Sequence, residues 1–96
     1  MNEESKREIY AEVLERLIKH LQSRTDVQNI DLMNLSGFCR NCLSKWYAES
    51  AKKRNLEISY EEARNLIYGM PYTEWKEQYQ KEASAEQLER FDKKNN

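Results

Sequence analysis

Two cysteines three positions apart, Cys39-Arg40-Asn41-Cys42, carry the strongest chemical signal in the chain. A C-x-x-C pair serves as a redox dithiol or as half of a zinc site. On a helix, this spacing sets both sulfurs on one side. It also sets them in line with Leu35, Leu43 and Trp46, so the preferred reading is two buried thiols acting as small hydrophobes. A redox role needs a stabilised thiolate. Ser36-Gly37 just upstream offers a helix break that would make Ser36 an N-cap and put Cys39 at the third helical position, near free amides. No strand precedes the pair, whereas a thioredoxin-like dithiol is expected beside a βαβ pattern. A zinc site needs four ligands. His20 is the only histidine, so Cys39, Cys42 and His20 leave the fourth to a carboxylate, a water or a second subunit. No cofactor is expected, with zinc as the alternative.

A second group, Asp31, Asn34, Asn41 and Lys45, forms a polar stripe. Its functional reading is a ligand or partner contact. Its plainer reading, which we prefer, is capping by Asp31 plus ordinary surface residues. Tyr60, Tyr68, Tyr72, Trp75 and Tyr79 lie in a segment, residues 56–96, that holds nine acids. That charge repels phosphate, so a base-stacking role is disfavoured and a core or a dimer interface is expected. No glycine-rich phosphate loop and no Ser-His-Asp set is legible. The reading leans away from an enzyme.

These side chains need helices to hold them. Tyr10, Val13, Leu14, Leu17, Ile18 and Leu21 recur at helical spacing, with Ile9 at the edge, and predict an amphipathic helix from about Glu4 to Ser23. Thr25-Asp26-Val27-Gln28 matches a capping box, and Asp31 offers another N-cap. A central second helix is expected from Leu32 to Lys53, with Leu35, Phe38, Cys39, Cys42, Leu43, Trp46 and Tyr47 on one stripe. Ser59-Tyr60-Glu61-Glu62 opens a third helix that Gly69 closes, and Pro71 suits the first position of a fourth. Ser84-Ala85-Glu86-Gln87 opens a short last helix, followed by a frayed polar tail from Asp92 to Asn96. The expected fold is all-α, with four to five helices in one domain over residues 1–80 and a helical tail over 81–96. Trp46 and Trp75 are both expected in the core.

Composition agrees. In 96 residues there are only two Gly and one Pro, too few breakers for a β-protein. The 39% hydrophobic content is too high for a disordered chain. The net charge of −1 gives no basic excess for nucleic acid. No apolar run nears the roughly 20 residues of a membrane span, and no secretory pattern is visible at the start. A cytoplasmic protein with free thiols is expected. The charge is uneven. Residues 31–55 carry five bases and two acids, residues 56–96 six bases and nine acids. This asymmetry and the generous aromatic content lead us to expect a homo-oligomer or protein partner, with no nucleic acid and no membrane.

The run Thr25-Asp26-Val27-Gln28-Asn29-Ile30-Asp31-Leu32-Met33-Asn34-Leu35, continued by Gly37-Phe38-Cys39-Arg40-Asn41-Cys42-Leu43 and Trp46-Tyr47, resembles the bacterial family called domain of unknown function 1244. So does Tyr68-Gly69-Met70-Pro71-Tyr72 with Trp75-Lys76. The resemblance covers about Ile9 to Gln80 and leaves the Glu-rich end outside. It implies a small, soluble, helical bacterial protein and brings no established activity or catalytic residue with it.

Overall fold

A computed structural model describes residues 1–95, with side chains as far as Lys93. Every element among them is a helix: α1 (Glu3–Ser23), α2 (Asn29–Ser36), α3 (Arg40–Lys53), α4 (Tyr60–Tyr68), α5 (Tyr72–Tyr79) and α6 (Ala85–Asn95). None is long and apolar enough to cross a membrane. The polar tail forms the end of α6 as far as Asn95, and Asn96 lies outside the described residues.

Among the described residues there are six helices, not four to five, and one reason is Gly37. The long helix expected from Leu32 to Lys53 is two helices. Gly37 adopts the left-handed conformation, with φ of 81°, and its amide caps α2 on Met33 O. A residue without a Cβ enters that conformation freely. Phe38 and Cys39 carry the chain to the start of α3. Other caps differ in detail. Thr25 caps nothing; Gln28 is the N-cap of α2, and its amide donates to Asp31 Oδ2 at 3.1 Å. Asp31 is therefore the third residue of that helix, not its cap. Pro71 is the N-cap of α5, one position ahead of the expected one. The Ser59 and Ser84 caps form as read, Ser59 Oγ accepting from the Glu62 amide and Ser84 Oγ from that of Gln87.

The core lies where α1, α3 and α4 meet. Leu21, Leu43 and Ile67 are buried there, with Ile18, Leu32 and Phe38 packed against them. Ser44 on α3 and Ala63 on α4 are fully buried, and their small size lets these two helices close on each other. A second, aromatic layer holds Trp75, which is 1% exposed, between Tyr68 and Tyr79.

Helix α1 is different. At 1.5 Å per residue it is about 31 Å long, and only its last turns reach the core. The molecule measures 47 × 28 × 26 Å with a radius of gyration of 15.2 Å, above the roughly 12–13 Å of a closely packed chain of this size. The stripe read as core on α1 is mostly solvent-facing. Ile9, Tyr10, Val13, Leu14 and Leu17 remain 38–62% exposed. Trp46, expected in the core, is 53% exposed, and Leu35 and Tyr47 are also exposed.

Candidate functional site

The break at Gly37 decides the setting of the cysteines. Cys39, in extended backbone, is the N-cap of α3, and Cys42 is the third residue of that helix. This is one turn away from the arrangement with Ser36 as cap and Cys39 third. The two Sγ atoms stand 3.9 Å apart. Both are free thiols; Cys39 is buried and Cys42 half-buried. Burial pushes the Cys39 thiol above its ordinary value, against the pull of the Cys42 and Asn41 amides at the start of α3. Cys42 Sγ also lies 3.9 Å from Met33 Sδ at the end of α2. Chemically, the pair is close enough to bond after a small shift, and the three sulfurs together are a set of soft donors.

His20 does not complete a metal site. It is exposed on the last turn of α1. Among the described residues, no three or more of His, Cys, Asp and Glu gather closely enough to share a metal ion.

The polar stripe is not one solvated face. Asn34 is buried and donates from Nδ2 to Gln87 O at 3.0 Å. Asp31 Oδ1 accepts from Gln87 Nε2 at 2.8 Å. Gln28 donates to Tyr79 O and accepts from the Lys81 amide, both at 2.9 Å. These side chains tie α6 and the segment before it to α2. Asn41 Oδ1 accepts from the Tyr68 hydroxyl at 2.7 Å, and that hydroxyl accepts from Asn29 Nδ2 at 3.0 Å. Burial drives the Tyr68 phenol far above its ordinary range. Lys45 alone of the four is exposed.

At the centre of this network is a residue that sequence reading missed. Arg40 is 1% exposed. Its guanidinium donates to Val27 O, Leu21 O, Arg24 O and Asn29 Oδ1 at 2.8–3.3 Å and stacks 4.9 Å from the centre of the Trp75 ring. None of these acceptors is charged. Burial lowers the affinity of Arg40 for its proton. One signal was present in the sequence: Asp31 and Glu49 are the only acids from residue 31 to 55, and neither lies within a turn of Arg40. Met33 was also missed, because its sulfur meets Cys42 only through the turn at Gly37.

The second candidate is apolar. Between α1 and α3 runs a groove of about 440 Å³, with Ile18, Leu43 and Ile67 in its lining alongside Leu14, Leu17 and Trp46. It continues into the exposed stripe of α1.

A family model described as "Protein of unknown function (DUF1244)" matches residues 27–93. The match begins after α1 and includes α6 as far as Lys93, so the Glu-rich segment after Gln80 lies inside the family unit and the α1 portion of the resemblance outside it. No curated protein matches the chain in sequence.

Proposed function

We propose that this chain, which belongs to the DUF1244 family, is a non-catalytic interaction module that pairs with a second copy of itself through α1 and the groove beside it. The observation that carries this reading is the apolar stripe from Ile9 to Leu17, left 38–62% exposed on a helix that projects from the body. A stable amphipathic helix of this kind gains most of its stability from covering that face. Each large apolar side chain fully covered contributes about 1.5–3 kcal/mol.

Charge supports an antiparallel pairing. Residues 1–12 hold four acids against Lys6 and Arg7, while residues 13–24 hold Glu15 against Arg16, Lys19 and Arg24. Antiparallel helices bring these opposite halves together and oppose their dipoles; parallel ones set like charge on like. An antiparallel pair is also compatible with a closed two-fold dimer. The module works in a reducing cytoplasm, where its thiols stay free.

Sedimentation equilibrium at micromolar concentration tests the reading. About twice the 11.6 kDa chain mass is expected. Val13→Asp combined with Leu17→Asp should give a folded monomer, since neither side chain is buried in the single chain. A wild-type monomer at every concentration, or a variant that still dimerises, refutes it.

A further inference from the structure

The sulfur atoms of α2 and α3 have a spacing that matters. Cys42 Sγ is 3.9 Å from Cys39 Sγ and 3.9 Å from Met33 Sδ. Sulfurs bound at about 2.3 Å to one ion stand about 3.8 Å apart in tetrahedral geometry and about 4.0 Å apart in trigonal geometry. We propose that Met33, Cys39 and Cys42 form a binding site for one monovalent copper ion, Cu(I).

The donor set selects this ion. Two thiolates and a thioether are soft ligands, which suit Cu(I) and offer nothing to calcium or magnesium. Zinc takes four ligands from Cys, His, Asp and Glu, and no third such residue joins the pair among the described residues. The thioether is the donor that separates copper from zinc.

The charge balance points the same way. Binding displaces one proton from each thiol, so two protons leave as one positive charge arrives. The occupied site then carries −1, where a zinc ion on the same two thiolates would leave it neutral. Arg40, the residue after Cys39, is a buried cation whose four hydrogen-bond acceptors are all neutral. The carboxylate whose charge reaches it, Asp26, is engaged with Arg24. A negatively charged copper–thiolate site beside Arg40 supplies the missing counter-charge. Half-buried Met33 and Cys42 leave a way in from solvent.

The test is an anaerobic titration of the reduced full chain with Cu(I) against a colorimetric Cu(I) chelator. One ion per chain should leave the chelator, with two protons released, and X-ray absorption should count three sulfur neighbours. Met33→Leu conserves volume. It should keep the helical spectrum, reduce the count to two sulfurs and weaken binding about tenfold or more. Cys42→Ala should abolish binding. Failure to compete with the chelator overturns the proposal, as does a Met33→Leu protein with three sulfurs and unchanged affinity. The Met33→Leu comparison stands even if Cys42→Ala does not fold.

Discussion

Gly69→Ala should destabilise the protein by about 1.5–3.5 kcal/mol, and the reason can be separated into two parts. Gly69 caps α4 with φ of 73°. Placing a side chain in that left-handed conformation costs about 1–2 kcal/mol. The new Cβ would also lie 2.8 Å from Gln22 Cδ and 2.9 Å from its Nε2. A flexible amide can swing away, so the steric cost alone is small. Swinging away, however, breaks what Gln22 does. Its Nε2 donates to Ile67 O at 3.1 Å and, more weakly, to Leu66 O at 3.4 Å, holding α1 to the end of α4. Losing that link adds about 0.5–1.5 kcal/mol. Gly37 provides the control. It has φ of 81°, and a Cβ there meets nothing within 4 Å, so Gly37→Ala should carry the conformational cost alone, about 1–2 kcal/mol.

The assay is urea unfolding followed by ellipticity at one fixed protein concentration, since self-association would shift the midpoint. In thermal melts the Gly69 variant should fall by about 6–28 °C and the Gly37 variant by about 4–16 °C. The decisive measurement is the double mutant. With Gln22→Ala already present, Gly69→Ala should cost no more than Gly37→Ala, because the amide it displaces is gone. Equal costs for the two glycines in the wild-type background would refute the reasoning. So would a Gly69 cost unaltered by Gln22→Ala.

Arg40→Met should cost about 3 kcal/mol, read as a lowered urea midpoint, because it leaves Val27 O and Asn29 Oδ1 without a partner and takes one of two hydrogen bonds from Leu21 O and from Arg24 O; Arg40→Lys should rescue little, since one ammonium cannot replace a planar fork that reaches several acceptors. Stability should fall on the alkaline side. Burial raises the folded-state values of Cys39 and Tyr68, so each group's contribution is complete below its unfolded pKa and is lost as pH rises through the folded one. The urea midpoint should therefore decline from about pH 8.5, where the unfolded thiol titrates, and more steeply above about pH 10, where unfolded tyrosine does. Cys39→Ala should flatten the first decline and Tyr68→Phe the second; a midpoint that rises across this range would contradict the burial of both groups.

The all-helical class was legible because its signals are local. Ser59 with Glu62, and Ser84 with Gln87, sit three residues apart, and the hydrogen bonds they form span that same distance. What sequence spacing missed is long-range. Asp31 and Asn34 read as surface polar residues until α6 supplies Gln87, 53 or more positions later. Asn41 does so until Tyr68 arrives 27 positions on. A short polar side chain carries no local mark of the partner that satisfies it.

The misplacement of the α1 stripe has another origin. Periodicity reports that a helix has an apolar face, not which molecule covers it. Ile9, Val13, Leu14 and Leu17 have the spacing of a core stripe, and the rest of the chain leaves them 38–62% exposed. After α1, the 67 residues of the family match build a layer around Leu43, Ile67 and Trp75 that meets only the C-terminal end of that helix. Trp46 faces outward on the same side, across the groove from Leu14 and Leu17. The sites divide accordingly. The family unit, from residue 27 onward, holds the sulfur cluster and the buried Arg40, while α1 lies outside that unit and contributes the uncovered face. Changes to the α1 face should therefore alter association while leaving the sulfur site intact, because Met33, Cys39 and Cys42 are positioned by the turn at Gly37 and by α3, not by α1.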